Sequence, residues 1–352
     1  MCLIRRSIGA MVSMSTLLDK SNVYGSVVGL AKQVEHAWEE AQKVVVPDSY
    51  KNIDKIVMCG MGGSLLGAKI IQSVFANDLT FPLVLVNDYD LPGWVDEKTL
   101  VICSSYSGST EETLTNAEQA LTKKANLMLI TAGGRLLDLA QANNLPCYLI
   151  NPVYNPSKQP RLAIGYSVIG QLVLCQKAGL LNLTQVIINE LVEAMSQVKP
   201  EPALALAQKL VNKQVIFTAA EHLTGPIHTV KNQMNENAKH LSHRHDLPEL
   251  NHHLMEGLRF PKSNPATTLF WFIDSNLYTP RIKQRLELTR EVVEKNHLSS
   301  VVWPATAKSK LAQAFELIQF GAYVNFYLSQ LHHLDPAPIP WVNYFKEKLG
   351  KG

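Results

Sequence analysis

The sequence predicts an α/β protein with two related subdomains, each a doubly wound, mostly parallel sheet flanked by helices. Short apolar runs of roughly four to eight residues alternate with amphipathic ones, which is typical of such sheets. At 352 residues and 46% hydrophobic content, the chain has room for about two domains. The alternation also stops midway and then resumes, which favours a repeat.

The elements of the first half follow in order. An N-terminal helical region is predicted over roughly residues 25–45. Helices predicted at SLLGAKIIQSVFA and TEETLTNAEQALTKKA then join five apolar runs that read as strands, KIVMCG, FPLVLVND, TLVICSS, LMLITAGG and PCYLINP.

The second half reads as a diverged copy of the first. Residues 160–198 are predicted to be helices interrupted at a glycine, after which KQVIFTAAEHLTGPIHTVKNQ, TTLFWFIDS and SSVVWPA restore the alternation. The predicted parts are an N-terminal helical segment (1–49), a first subdomain (50–158), a helical connection (159–204), a second subdomain (205–332) and a C-terminal tail (333–352).

Composition excludes several classes of protein. The formal net charge is +3 without long basic runs, so a nucleic-acid partner is not expected. No signal peptide and no run of eighteen apolar residues is present, so we expect no membrane partner. Five cysteines, mostly in apolar runs, are typical of reduced core thiols and favour a cytoplasmic location: Cys2, Cys59, Cys103, Cys147 and Cys175.

Two turns in the first half point to an anion. GMGGS (Gly60 to Ser64) and CSSYSGSTEET (Cys103 to Thr113) each lie between a predicted strand and a helix. Glycine allows close approach of the backbone, and a helix N-terminus offers free N–H groups. A tight turn and a helix cap are the ordinary alternatives, since GMGGS is neither a P-loop nor a dinucleotide fingerprint. Ligands of open α/β sheets bind at the carboxyl ends of strands, so two such turns favour an anion site whose hydroxyls also cap the helix.

The motifs GMGGS, SYSGST, QPRLAIGY, NENAK, LPELNHH and DPAPIPWVNYFKEKL, in this order, resemble those of the bifunctional phosphoglucose/phosphomannose isomerase family of the sugar isomerase (SIS) superfamily. The resemblance spans about residues 25 to 350. It implies a homodimer that interconverts glucose 6-phosphate and fructose 6-phosphate without cofactor or metal, with mannose 6-phosphate as a further substrate of the family. It places Ser105, Ser107 and Thr110 at the sugar phosphate, with Gly62, Gly63 and Ser64 beside the sugar.

The resemblance also implies the catalytic residues. Glu236 corresponds to the base that carries a proton between C1 and C2, and Arg161 to the arginine that stabilises the enediolate. His252 corresponds to the histidine that opens the ring across the dimer interface, with His253 as the alternative in register. Lys346 corresponds to a lysine that polarises substrate oxygens. Without the motifs, Glu236, Arg161 and Lys346 would each read as surface residues.

The histidine-rich stretch HLSHRHDLPELNHH has two further interpretations. His243, His245, Asp246 and Glu249 are possible zinc or iron ligands. The alternative is a solvated loop that orders His252. We favour the loop and expect no metal, because no HExxH pattern is present.

The sequence departs from the family pattern at two positions. Ser109 replaces an asparagine common in relatives, and we expect little effect. Ala337 stands where many relatives carry a threonine linked to acceptance of both epimers, so mannose 6-phosphate activity is in doubt. The alternative functions are an isomerase of another sugar phosphate and a non-catalytic sugar-phosphate sensor.

Overall fold

The computed structural model describes residues 17–350, so the beginning of the predicted N-terminal segment and Cys2 lie outside the described residues. The first described helices are α1 (Val23–Val28) and α2 (Leu30–Ala41). The helical region expected over roughly residues 25–45 thus consists of two helices. It is interrupted at Gly29, where a Cβ would come within 2.7 Å of the Tyr154 carbonyl oxygen.

The first sheet has five parallel strands in the order β2-β1-β3-β4-β5. Consecutive strands lie on opposite sides of β1, so the switch point of the sheet falls between β1 and β3. The strands are β1 (Lys55–Gly60), β2 (Leu83–Val86), β3 (Thr99–Ser105), β4 (Asn126–Thr131) and β5 (Cys147–Leu149), and the helices are α3 (Gly63–Val74), α4 (Glu111–Thr122) and α5 (Gly134–Ala142).

Three helices connect the two sheets: α6 (Ile164–Lys177), α7 (Gln185–Gln197) and α8 (Pro200–Leu210). Every α6 residue from Ile164 to Cys175 is buried. A helix that is apolar on all sides belongs inside the molecule, and α6 packs against both α2 and α3.

The second sheet has four parallel strands in the order β7-β6-β8-β9. This order matches that of the first four strands of the other sheet, which supports the internal repeat. The strands are β6 (Gln214–Ala220), β7 (Ser242–Leu247), β8 (Thr268–Ser275) and β9 (Ser299–Ala305), and the helices are α9 (Thr224–Asn237), α10 (Leu254–Gly257), α11 (Asn264–Thr267), α12 (Pro280–Lys295), α13 (Lys310–Leu331) and α14 (Pro340–Leu349).

Strand β7 corrects the prediction of a loop in the histidine-rich stretch. Its sequence, SHRHDL, lacks the apolar and β-branched residues of a typical strand. It nevertheless pairs with β6 from Ser242 to Leu247 at the sheet edge. Backbone hydrogen bonds define this strand, and its side chains alternate between the two faces of the sheet.

Helices α3 and α9 pack on each other and run in opposite directions. At one end a Cβ on Gly225 would lie 2.3 Å from the Lys69 carbonyl oxygen. At the other end, Gly63 lies against the backbone of Arg161, which contacts the last turn of α9. Each helix therefore begins where the other ends.

Two apolar cores each contain residues from both halves of the sequence. One core includes α2 residues such as Val34 together with Phe315 of α13. Another includes Val23 and Val27 of α1 together with Phe320 of α13. The N-terminal helices and α13 thus join both sheets, and none of the helices within residues 17–350 could cross a membrane.

The C-terminal helix α14 has no buried residue. Large apolar side chains lie on its surface, and Trp341 is 81% exposed, Phe345 63% and Tyr344 56%. Such side chains usually lie against another surface, and within the described chain α14 buries none of them.

Candidate active site

The two predicted turns meet at the carboxyl ends of β1 and β3, which are neighbouring strands. Gly62 adopts φ 49° immediately before α3, a conformation that favours glycine. The Ser64 hydroxyl accepts a hydrogen bond from the Tyr106 N–H at 3.0 Å. Both turns therefore form one surface at the switch point of the sheet.

The hydroxyl turn is held by its own side chains. The hydroxyls of Ser105 and Thr110 lie 2.9 Å apart, and the Gly108 N–H donates to the Ser105 hydroxyl at 3.1 Å. Gly108 has φ 66°, and a Cβ there would overlap the Gly133 carbonyl oxygen. The turn is thus built for close packing of the backbone, and Ser107 remains exposed at its tip.

The expected helix cap is absent at this turn. Thr110 is the N-cap of α4, but its side chain makes no capping hydrogen bond, and Gly62 before α3 makes none either. The expectation that the hydroxyls of this turn also cap the helix is therefore not met at the N-cap position. The Ser64 and Leu65 N–H groups at the start of α3 donate to the Met61 and Gly62 carbonyls at 3.1 and 3.2 Å, whereas the first N–H groups of α4 can donate to an anion at this surface.

Arg161 lies directly beside the glycine turn. It belongs to a 3-10 helix, Pro160–Leu162, and a Cβ on Gly63 would come within 3.0 Å of its backbone nitrogen. Its side chain is 2% exposed. The guanidinium donates to Asn237 Oδ1 at 2.5 Å, to Gln159 Oε1 at 2.9 Å and to two carbonyls of residues 336 and 337 at 3.0 and 2.8 Å.

Glu236 lies in the last turn of α9, 3.6 Å from the guanidinium of Arg161 (Oε2 to Nη1). Its side chain is 32% exposed, so the carboxylate can reach a ligand. Burial raises the pKa of Glu236, while Arg161, Lys239, Lys346 and Lys231 lower it. Two opposing effects therefore set the charge of this carboxyl.

Lys239 is a site residue that the sequence reasoning missed, although it belongs to the quoted motif NENAK. Its ammonium donates to the carbonyls of Pro336 at 2.9 Å and Asp335 at 3.2 Å. Burial, followed by the charge of Arg161, lowers the pKa of Lys239 to about 8. Its position three residues after Glu236 was the signal available in the sequence.

Two amides that hold Arg161 were also missed. Asn237 accepts from the guanidinium, and Gln233 Nε2 donates to the Arg161 carbonyl at 2.8 Å. Both are buried on α9, and Asn237 adjoins Glu236 in the same motif. The spacing of Gln233 and Asn237 on the helix does not indicate that both bind Arg161, because Arg161 is distant from them in sequence.

Ala337 and Lys346 follow in the C-terminal tail. Ala337 is buried, and its carbonyl accepts from Arg161, so the departure from the family pattern lies beside the site. Lys346 is exposed on α14 but lies close enough to Glu236 to lower the pKa of that carboxyl. The structure thus brings both residues to the region of Arg161 and Glu236.

His252 lies elsewhere on the chain. It is exposed at the end of a 3-10 helix, Glu249–His252, beside a cavity of about 660 Å³ lined also by Arg281 and Arg285. The ring of His253 lies 6.0 Å from that of His245. Within residues 17–350, no hydrogen bond or ion pair joins His252 to Glu236 or Arg161.

The strand geometry separates the possible metal ligands. His243 and His245 share one face of β7, and Asp246 faces the opposite way, where it pairs with Arg244 at 3.0 Å. No group of three or more histidine, cysteine, aspartate or glutamate side chains between residues 17 and 350 is arranged to hold a metal. The residues considered as ligands do not converge.

Known proteins resemble this chain along nearly its whole length. The family described as bacterial phospho-glucose isomerase C-terminal SIS domain matches residues 199–349. A bifunctional phosphoglucose/phosphomannose isomerase of Caldicellulosiruptor bescii is 33% identical over 94% of this chain and 99% of its own. A protein of the same name from Aquifex aeolicus is 31% identical over 94% and 98%.

A solved structure supports the fold. The structure of a hypothetical protein from Thermus thermophilus superposes with a TM-score of 0.74, at 19% identity, over 93% of this chain and 90% of that chain. The two relatives share at least 30% identity with this sequence over almost its entire length. The chain therefore belongs to the bifunctional phosphoglucose/phosphomannose isomerase family.

Proposed function

We propose that the protein interconverts glucose 6-phosphate and fructose 6-phosphate, and mannose 6-phosphate where Ala337 permits it. One observation carries this proposal within the family: a buried arginine lies 3.6 Å from a partly exposed glutamate, beside a turn that can bind an anion. Aldose–ketose isomerisation needs these components, namely a base, a cation for the developing oxyanion and an anchor for the phosphate.

The phosphate anchor is the surface formed by the two turns. Ser107 and Thr110 would donate hydroxyls, Ser105 would hold Thr110 in position, and the start of α4 would add backbone N–H groups. Gly62, Gly63 and Ser64 would border the sugar. Anchoring the phosphate fixes C1 and C2 relative to the reacting side chains.

Proton transfer is assigned to Glu236. For the aldose, its carboxylate takes the proton from C2, so that a C1–C2 double bond forms and negative charge develops on O1. The carboxylate then returns the proton to C1 while the hydroxyl proton of O2 passes to O1, which leaves a ketone at C2 and a hydroxyl at C1. Arg161 balances the negative charge that develops on the enediolate oxygens, since its own charge is permanent. Lys346 would polarise further substrate oxygens from α14.

Ring opening requires a second acid–base group. The bond between C1 and the ring oxygen breaks as that oxygen gains a proton and the C1 hydroxyl loses one. His252 suits this exchange because a neutral imidazole has one ring nitrogen that donates a proton and one that accepts a proton. It is exposed and distant from Glu236 in its own chain, so we assign it to the site of a second subunit in a homodimer, with His253 as the alternative.

The cysteines bear on the cellular location of the protein. Within residues 17–350, four cysteines are unpaired: Cys59, Cys103, Cys147 and Cys175. Reduced thiols are typical of cytosolic proteins. We therefore assign the reaction to the cytoplasm, as a step of carbohydrate metabolism between hexose 6-phosphates.

The experiment is an assay of purified protein with fructose 6-phosphate in the presence of EDTA, with glucose 6-phosphate and mannose 6-phosphate measured separately. Both products are expected if Ala337 is tolerated, and glucose 6-phosphate alone would restrict the enzyme to one epimer. Neither product, together with tight binding of the sugar phosphate, would overturn the proposal in favour of a sensor. Turnover of an amino-sugar phosphate instead would favour another isomerase.

A further inference from the structure

A second polar cavity, of about 590 Å³, lies at the carboxyl edge of the second sheet. It is bordered by the end of β6, the turn after β8, the start of α9 and the second half of α3, with residues such as Thr224, Thr279 and Ser73. Cavities of this size accommodate small organic ligands. Neither the phosphate anchor nor the proton-transfer residues line it.

The repeat relates this cavity to the candidate active site. Strands β6 and β8 correspond to β1 and β3, so the cavity edge corresponds to the edge that carries the two turns. Because α3 and α9 run in opposite directions, the start of α9 faces the second half of α3 here. Lys310 begins α13, which packs against α9 as α6 packs against α3.

Positive charge converges on the cavity from three elements. Lys69 comes from α3, Arg244 from β7 and Lys310 from α13. Arg244 pairs with Asp246 at 3.0 Å. Among residues 17–350, the ammonium groups of Lys69 and Lys310 have no carboxylate within 4 Å.

Burial and this positive charge lower the pKa values of Lys69 and His228. The pKa of Lys69 is lowered by burial and then by Arg244. Burial, Arg244, Lys69 and Lys231 together lower the pKa of His228 to about 3. Cations that are partly buried and repel one another favour the binding of an anion.

The protein already places one anion at this edge. The Glu221 carboxylate accepts hydrogen bonds from the Thr279 hydroxyl at 2.7 Å and the Thr279 N–H at 3.2 Å, at the turn that corresponds to the hydroxyl turn of the first sheet. Glu221 adopts φ 45°, an uncommon conformation for glutamate. The turn of the second sheet thus holds a carboxylate of the protein itself, while Lys69 and Lys310 have no carboxylate partner in the described part of the chain and Arg244 is shared between Asp246 and the Thr224 carbonyl at 2.8 Å.

From this arrangement we propose that Lys69, Arg244 and Lys310 bind a phosphate monoester of small-molecule size in the second cavity, separately from the substrate. An arginine and two lysines suit a phosphate dianion, because Arg can donate two parallel hydrogen bonds and Lys adds point charges. The proposal concerns binding alone and does not depend on the isomerase reaction.

The test is a calorimetric titration of the full chain with glucitol 6-phosphate, which has no carbonyl group and cannot be isomerised. Two equivalents per chain are expected. Ser107→Ala with Thr110→Ala should remove one equivalent and leave the other. Lys69→Met should instead weaken the second equivalent roughly tenfold or more, because a charge-assisted contact is lost.

The controls separate charge from folding. Lys209→Met removes an exposed lysine on α8 and should leave both equivalents unchanged, while Lys69→Arg should retain the second. Lys310→Met provides an independent variant if Lys69→Met unfolds. Binding that is unchanged by both Lys69→Met and Lys310→Met would overturn the proposal, whereas a single equivalent that these two variants weaken would support it and would instead count against the phosphate anchor. Binding of inorganic phosphate without the ester would also overturn it.

Discussion

At the scale of single residues, the charge of Glu236 depends on an opposition between burial and cations. Burial raises the pKa of its carboxyl, and four surrounding cations lower it, Arg161 most strongly. A general base must be ionised at the working pH and still basic enough to take a proton. The environment of Glu236 pushes its pKa in both directions at once.

Replacing Glu236 by Gln should nearly abolish turnover. The amide keeps the shape of the side chain but cannot accept the proton, and a positioned base contributes roughly 10²–10⁴-fold in rate. Initial rates with fructose 6-phosphate measure the loss, and titration with glucitol 6-phosphate should show that the ligand still binds. Activity like that of the original protein would remove Glu236 from the role of base.

Replacing Lys239 by Met should shift the pH dependence of the reaction. The positive charge of Lys239 lowers the pKa of Glu236, so its removal raises that pKa. The acidic limb of the kcat/KM profile should therefore move to higher pH. Lys209→Met serves as the control, and an acidic limb that stays in place would contradict the assignment of this limb to Glu236.

Arg161 and Glu236 could be singled out from sequence because each lies in a short motif, and the structure places them 3.6 Å apart. Lys239 and Asn237 were missed because their partners are distant in sequence. Lys239 donates to carbonyls of residues 335 and 336, almost a hundred positions away. Backbone carbonyls leave no trace in a motif, so this network becomes visible only in the fold.

At the scale of elements, the hydroxyl turn and α4 have separate functions. The hydroxyl of Thr110 bonds to Ser105 and makes no capping bond to the helix. Ser107→Ala with Thr110→Ala should therefore raise KM for fructose 6-phosphate about tenfold or more and change kcat less, because the anchor is lost in ground state and transition state alike.

A true helix cap provides the matched control for that experiment. Thr184 caps α7 by accepting from the Ile187 N–H at 3.4 Å. Thr184→Ala should lower the free energy of unfolding by about 1 kcal/mol and leave KM unchanged. If the turn variants alter thermal stability but leave KM unchanged, the turn would be structural only.

The elements with strong apolar patterns were predicted well, and those without them were not. The predicted run SSVVWPA coincides with β9, Ser299–Ala305. The run SHRHDL was interpreted as a loop, yet it forms β7, because an edge strand needs only backbone pairing with β6. The predicted N-terminal helical region gave no sign that it divides at Gly29, because the close approach of the Tyr154 carbonyl there comes from a residue more than a hundred positions later.

At the scale of the whole molecule, acid should destabilise the fold. Burial lowers the pKa of five histidines, His222, His228, His240, His245 and His332. A histidine with a lowered pKa binds fewer protons folded than unfolded, so stability falls as the pH drops below about 6.5. Glu236 and Asp246, with raised pKa values, act in the opposite direction but are fewer.

Urea unfolding at pH 7.5 and pH 5.5 measures this effect, and we expect a smaller free energy of unfolding at pH 5.5. His228→Gln should reduce the difference between the two pH values, because it removes the group whose pKa falls to about 3. Equal stability at both pH values would mean that the buried histidines do not govern the acid response.

The proposed dimer predicts complementation between inactive variants. Glu236→Gln and His252→Ala should each be inactive alone. After subunit exchange, a mixed dimer would hold one site with both changes and one with neither, so an equal mixture should recover about a quarter of the original activity. Size-exclusion chromatography confirms the exchange, and no recovery in exchanged dimers would place His252 within its own subunit's site or outside catalysis.

The packing of α1 against residues far along the chain has a consequence for folding during synthesis. Val23 and Val27 of α1 are buried with residues such as Phe217 of β6 and Phe326 of α13, which leave the ribosome about two hundred residues or more later. A nascent chain that ends near Leu210 would therefore expose this apolar face of α1, even with the strands of the first sheet complete. Helix α1 cannot complete its packing until the C-terminal part of the chain has been synthesised. Premature termination of translation should therefore yield a fragment that aggregates and does not fold into an active unit.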